Sequence, residues 1–264
     1  MKKNLSLTSL EPFIRFEIRE GVAVFRLTDD IIDMVLDLKA MVKFLDTFEA
    51  AEKSSEVTAM LFLCDKSCFS PWRADMFLEK LKRRQGSESL TEGQKQGITL
   101  EENAMWRFIR KVRRCSKLVL IALQGDVATA FFGTSLAYDL RIVSEDTVFH
   151  IRCHELGLPP IGGLAYFLPL YLGWGRANRI LLATTKIDAK QAFDLGLVDD
   201  VVATNDLTEV SLTRARELAH THPESIRGVK SLLNMHLPHM EASFDAESKI
   251  ITTALNRFRL KKPE

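Results

Sequence analysis

The densest cluster of chemistry-bearing side chains is HIRCHELG at 150–157, which places His150, Cys153, His154 and Glu155 close together. A thiol flanked by imidazoles raises two kinds of chemistry, metal ligation and nucleophilic attack assisted by a neighbouring base. The metal reading lacks the second histidine of an HExxH pair, and Pro159 stands where the helix carrying it would continue. No metal site is expected. Cys153 then reads either as a nucleophile beside a histidine or as a small buried thiol that fills space. Glu155 is two residues on, so an extended backbone would put it on the same face as Cys153. It reads as an acid/base group or as an exposed structural carboxylate.

Two other stretches bear on chemistry. In QGDVATAFFGTSLAYDLRI (124–142), Asp126 follows Gly125 where an apolar strand runs out. Its carboxylate either caps a turn or faces a ligand. After CFSPWRADMFLEK (68–80) the chain is basic, with Lys80, Lys82, Arg83 and Arg84. Such residues pair with phosphates or form a solvated helix face.

The elements that must position these residues follow from hydrophobic periodicity. FIRFEIREGVAVFRL reads as a hairpin turning at Gly21. Leu38, Met41, Val42 and Leu45 lie at helical spacing and predict one buried stripe. VTAMLFL (57–63) and KLVLIAL (117–123) are apolar throughout, as buried strands are. Between them lies a charged, Gly- and Ser-containing excursion over 66–100 and a helix marked by Met105, Phe108, Ile109 and Val112. Short strands follow at LRIVS and near Phe149, then helices opening at Pro159–Pro160 and at GRANRILLAT. IDAKQAFDLGLVDDVV (187–202) reads as an Asp-capped helix, a glycine stop and a short strand. From 205 onward the pattern is helical only, with Phe244, Ile251, Leu255 and Phe258 on one face. The chain thus divides into an α/β core (1–204) and a C-terminal helical region (205–264).

Bulk properties exclude several classes. With 36 basic and 35 acidic residues the net charge is +1, which argues against a nucleic-acid or membrane-surface partner. No apolar run approaches a membrane span, and the first residues do not read as a signal peptide. Four cysteines without a CxxC pair fit a reduced, cytoplasmic protein.

YDLRIVSEDTVF (138–149), LGLPPIGG (156–163), LGWGRANRILLATTKIDAKQAFDLGLVDDVV (172–202) and PESIRGVKSLLN (223–234) together resemble the crotonase superfamily, the enoyl-CoA hydratase/isomerase family. The resemblance runs in order along nearly the whole chain. It implies a spiral core of ββα units and a C-terminal helical region that builds homotrimers, often paired into hexamers. It also implies an acyl-CoA substrate whose coenzyme A is part of the substrate, with no tightly bound cofactor. The shared chemistry of that family is an enolate-like oxyanion held by two backbone N–H groups.

Carried onto this chain, the first donor falls on Ala74, with Arg73 as the alternative. Phe69 and Ser70 match the family's loop, Pro71 and Trp72 do not, and one extra residue is needed. The second donor falls on Ala130. Arg73, Lys80, Lys82, Arg83 and Gly162 fall where coenzyme A is met. The acid positions of hydratases fall on Gly133 and Cys153, and that of some isomerases on Ile161. Hydration needs two carboxylates, one to activate water and one to deliver a proton. The resemblance therefore implies isomerisation, decarboxylation or thioester hydrolysis rather than hydration, with Cys153, Glu155 and Asp126 as the groups left for acid/base or nucleophilic work. The alternative is a catalytically silent paralogue that binds an acyl-CoA or a partner.

Overall fold

A computed structural model describes residues 10–76, 104–156, 159–219 and 222–258. Strands β1 (Ile14–Arg19) and β2 (Val22–Leu27) form the expected antiparallel hairpin. Glu20 (φ 51°) and Gly21 (φ 81°) both take the left-handed conformation at its turn. That is the pairing whose twist matches the flanking strands.

Helix α1 (Leu38–Lys53) starts at Asp37, whose carboxylate accepts the Ala40 N–H at 3.0 Å. Its buried face differs from the predicted stripe. Phe44, Phe48 and Ala51 are buried, whereas Leu38 is 73% and Val42 50% exposed. The cause is an aromatic cluster. Phe25 and Phe62 stack at 4.8 Å, and Phe44 and Phe48 pack around them. Two phenyl rings bury more apolar area than Leu38 and Val42 would, and the helix turns accordingly.

Beyond β2, strands β3 (Ala59–Cys64), β4 (Leu118–Leu123), β6 (Leu140–Ser144) and β9 (Asp200–Val202) add in parallel. The sheet order is β1-β2-β3-β4-β6-β9. A smaller sheet is made by β5 (Asp126–Val127), β7 (Val148–His150) and β8 (Lys186–Asp188), with β7 central. One face of the large sheet carries the aromatic cluster, α1 and helix α3 (104–114), a short helix α2 (71–76) having followed β3. The other face is covered by α8 (Leu207–Ala219), whose Leu207, Leu212 and Ala215 pack on Val22, Leu61 and Leu120. The first helix of the C-terminal region thus closes the sheet itself. Burial on both faces explains why β3 and β4 read as unbroken apolar runs.

Helix α4 (Thr129–Ser135) follows β5, and a four-residue turn α5 (Cys153–Leu156) follows β7. Helix α6 (Leu164–Ala183) begins after the double proline rather than at it. Gly162 (φ 77°) and Gly163 (φ 78°) are consecutive left-handed residues, so the helix cannot start before Leu164. Gly173 (φ 73°, ψ 164°) kinks it, separating the two expected helical segments. Helix α7 (Ala189–Asp194) has the predicted cap: Asp188 accepts the Gln191 N–H, and Gln191 Oε1 accepts the Asp188 N–H.

Helices α9 (Pro223–Leu233) and α10 (Leu237–Phe258) complete the chain. Lys230 on α9 donates to Asp139 Oδ2 at 2.5 Å and to the Lys117 carbonyl at 2.9 Å, which ties this helix to β4 and β6. None of the described helices is long and apolar enough to cross a membrane.

Candidate functional site

The loop after β3 and the start of α4 lie side by side. Ala128 donates its N–H to the Phe69 carbonyl at 2.8 Å, and the Phe69 and Phe131 rings stack with centroids 4.2 Å apart at 11°. In the first loop the Ser70 N–H goes to the Ser67 carbonyl and the Arg73 N–H to Ser70 Oγ. Ala74, the expected donor, gives its N–H to the Ser70 carbonyl at 3.1 Å as α2 begins. Pro71 has no N–H. The Trp72 N–H has no partner among the described residues. On the second loop Phe131 and Phe132 both donate to the Ala128 carbonyl at 3.0 Å, while the Ala130 N–H has no partner among the described residues. Open amides in the first turn are what a helix start leaves over.

The backbone around α4 is packed to contact. A Cβ on Gly133 would come 2.6 Å from the Gly162 carbonyl oxygen and 2.7 Å from the Leu164 nitrogen. A Cβ on Gly162 would come 2.1 Å from the Ala130 carbonyl oxygen. Gly162 therefore acts as a spacer that lets the turn before α6 lie against the open end of α4. Position 133 has no room for any side chain, a carboxylate included.

The charged residues are paired with one another. Arg73 Nη2 donates to Asp29 Oδ2 at 2.8 Å, and its guanidinium lies 5.0 Å from the Trp72 ring centroid. Arg152 bridges Asp75 Oδ2 at 3.0 Å and Glu155 Oε2 at 2.9 Å, joining α2 to α5. Its hydrogen bonds to both carboxylates push its guanidinium further up. The segment holding Cys153 and Glu155 is a helical turn, not a strand. Residues two apart on a helix point in different directions, so the shared face expected of Cys153 and Glu155 does not form.

Burial pushes the Cys153 thiol up, and the negative charge of Glu247 on α10 adds to this. That is the opposite of what an activated thiolate requires. Both nearby imidazoles are engaged elsewhere, His154 with the Leu181 carbonyl at 3.0 Å and His150 with Asp126 Oδ1 at 2.6 Å. Asp126 alternates on β5 with buried Val127, so its carboxylate faces away from the core towards His150. Lys80, Lys82 and Arg83 lie outside the described residues. Among the described residues no three of His, Cys, Asp or Glu come together as a metal site.

Sequence reasoning passed over Glu247, whose charge reaches Cys153. The signal was available: Met240, Phe244, Glu247 and Ile251 fall at helical spacing, and all four are buried. Phe244 stacks on Trp106 at 3.8 Å and lies against Gly163.

Beside the two loops is a cavity of about 100 Å³. Its walls include Met34, Phe62, Met105 and Phe108, with Phe69 and Phe131 on the side of the loops. No Asp, Glu, Lys, Arg or His side chain lines it among the described residues. The hydroxyls of Thr134 and Ser135 are spent on the Ala130 and Phe132 carbonyls.

Comparison with known proteins agrees with this architecture. The family model described as Enoyl-CoA hydratase/isomerase matches residues 17–262. A Rhodobacter capsulatus protein named "Probable enoyl-CoA hydratase" is 26% identical over 227 residues, covering 85% of this chain and 82% of that one. The 4-chlorobenzoyl coenzyme A dehalogenase-2 of an Arthrobacter species is 24% identical over 216 residues, covering 82% and 75%. In structure, the enoyl-CoA hydratase of Bacillus halodurans superimposes with a TM-score of 0.77 at 17% identity, covering 94% of this chain and 97% of that one. With a matching family model over almost its whole length and the same fold, the chain belongs to the enoyl-CoA hydratase/isomerase family, the crotonase superfamily.

Proposed function

We propose that the chain binds an acyl-CoA thioester and holds the thioester oxygen with backbone N–H groups from the two loops. Ala130 is the donor from α4. From the first loop the donor is Trp72, whose N–H has no partner among the described residues, or Ala74 once its bond to Ser70 yields. The observation that supports this reading is the Ala128–Phe69 hydrogen bond, which holds the two loops side by side where Phe69 and Phe131 line one apolar cavity. A fixed donor aimed at a developing oxyanion lowers a barrier by roughly 3 kcal/mol.

Isomerisation, decarboxylation or thioester hydrolysis fits better than hydration. Position 133 is closed, position 153 carries a thiol held protonated, and Ile161 has no proton to give. A second reading, a silent acyl-CoA-binding paralogue, is favoured by the engagement of Glu155 with Arg152 and of Asp126 with His150. Lys80, Lys82 and Arg83 are proposed to pair with the coenzyme A phosphates.

Self-assembly into a trimer or hexamer is part of the proposal. It is supported by exposed apolar residues on α6 and α9, among them Trp174 (75%), Leu232 (69%) and Leu233 (59%). Thermal shift with coenzyme A and short acyl-CoAs tests the ligand class, since a ligand that binds only the folded state raises Tm. No stabilisation by any of them contradicts it. Turnover assays for hydration, decarboxylation and hydrolysis then separate enzyme from silent binder.

A further inference from the structure

We infer that Glu247 on α10 is the acid/base group of this site, and that it serves a reaction for which one carboxylate suffices, moving the double bond of a β,γ-enoyl-CoA thioester to the α,β position. This assignment rests on the acyl-CoA reading and deepens it. Gly133, Cys153 and Ile161 supply no carboxylate, so the proton carrier must come from another element. Glu155 and Asp126 are engaged with Arg152 and His150. Among the described residues Glu247 is the one buried acid, 8% exposed.

The packing of α10 brings it to the site. Met240, Phe244, Glu247 and Ile251 form the buried face of this helix. The Phe244 ring stacks on Trp106 at 3.8 Å, and a Cβ on Gly163 would meet that ring at 3.2 Å. Gly163 follows Gly162, which lies against the Ala130 carbonyl. Two consecutive glycines thus join this face of α10 to the turn that presents the Ala130 N–H. Glu247 is one helical turn beyond Phe244, about 4.5 Å along the axis. Its negative charge is felt by the Cys153 thiol, at the position where the resemblance puts a hydratase acid. Burying a carboxylate among Met240, Phe244 and Ile251 costs stability, and buried acids gather where proton transfer needs them.

The reaction balances with this one group. Glu247 takes the proton from the carbon next to the thioester carbonyl. The C–H pair becomes a carbon–carbon double bond, and the carbonyl π pair moves onto the oxygen, where the Ala130 N–H meets it. In the return the oxygen pair re-forms the carbonyl and the enolate double bond shifts one carbon along. The original β,γ pair then takes the proton from Glu247 at the γ carbon. Nothing is oxidised or reduced and no water is consumed, so the second carboxylate that hydration requires has no part to play.

The test gives the whole chain 3-hexenoyl-CoA, followed through the ultraviolet band of the conjugated product. It also gives butyryl-CoA in heavy water, followed by mass spectrometry for deuterium at the α carbon. The parent should turn over the first and exchange the second. Glu247→Gln keeps the shape and should lower both rates at least about 100-fold, with butyryl-CoA affinity in calorimetry little changed. Glu247→Asp keeps the charge but shortens the reach, and should lower both rates about 10–100-fold. It stands in should Glu247→Gln fail to fold. Glu241→Gln is the control on the same helix: its carboxylate pairs with Arg110 and Arg114 on α3, and both rates should stay at the parent value. Parent rates in Glu247→Gln overturn the assignment, as does a parent that binds butyryl-CoA but neither exchanges nor isomerises. Both results leave the acyl-CoA reading intact. Failure of every coenzyme A species to bind overturns both.

Discussion

Gly133→Ala isolates the claim that the acid position of this site is closed by backbone and not merely occupied by a different residue. The added methyl would sit 2.6 Å from the Gly162 oxygen and 2.7 Å from the Leu164 nitrogen. Neither atom can swing aside as a side chain would. Gly162 cannot retreat towards α4 either, because the Ala130 carbonyl already lies against it. Overpacking of this kind costs about 3 kcal/mol at the upper end of its usual range. Replacing a helical glycine by alanine returns at most about 1 kcal/mol. The net loss is about 2 kcal/mol, or a fall in Tm of about 4–8 °C for a chain of this size. Urea titration followed by circular dichroism reads the same quantity through the midpoint. Gly228→Ala is the matched control. It lies inside exposed α9 with nothing within 4 Å of its would-be Cβ, and it should stabilise by about 0.5–1 kcal/mol. Gly133→Glu should be more damaging than Gly133→Ala and gain no hydratase activity. A Gly133→Ala variant as stable as the parent would show that position 133 has room, and the steric argument against hydration would fail.

Other expectations follow from the same structure. All four cysteines are buried, and burial pushes the Cys115 thiol up to about 12. Ellman's reagent at pH 8 should therefore label the folded protein slowly and all four thiols in urea; fast labelling of Cys153 would restore the nucleophile reading. Burial raises the Asp146 carboxyl, but hydrogen bonds from Lys66 and Ser144 and the Lys66 charge outweigh it and bring it down to about 2. Because the folded value is the lower one, this stabilisation is complete above about pH 4 and is lost as pH falls towards 2. Asp146→Asn should flatten that part of the stability–pH curve, and an unchanged slope would contradict the assignment. Lys230→Met takes the cation from half-buried Asp139, whose Oδ2 keeps only the Val119 N–H, and should cost about 2–3 kcal/mol in urea titration. A loss under about 1 kcal/mol would mean that the pair does not hold α9 to the sheet. Leu232→Glu should shift the chain towards monomer in sedimentation velocity, and an unchanged distribution would remove α9 from the interface.

How much of this is legible in the sequence depends on the range of the interaction. AMLFLC and LVLIAL announce buried parallel strands because both faces of each strand must be apolar. Asp188 and Gln191 announce the start of α7 because capping is a contact across three residues. The buried face of α1 is not legible locally: two apolar stripes overlap on it, and a phenyl cluster from other strands chooses between them. The site divides in the same way. Ala130 as an open amide follows from its place in the chain, and the resemblance finds it. That Gly162 closes position 133 is a tertiary fact, whereas the Ala74–Ser70 bond and the helical turn at Glu155 are local, and the strand reading and the family's loop pattern pointed away from them. Glu247 lies between: its helical spacing marks it as buried, but only the packing of α10 places it near Cys153.

The central claim is that backbone N–H groups grip a thioester oxygen, and infrared spectroscopy of a bound acyl-CoA labelled with ¹³C at the thioester carbonyl reads that grip directly. Butyryl-CoA is the probe, compared free and bound to the full chain. Two hydrogen bonds onto the oxygen weaken the C=O bond, so its stretch should move to lower frequency on binding and move back part of the way in Ala130→Pro, which removes one N–H. A carbonyl band that stays at its free position while butyryl-CoA is demonstrably bound would contradict the account.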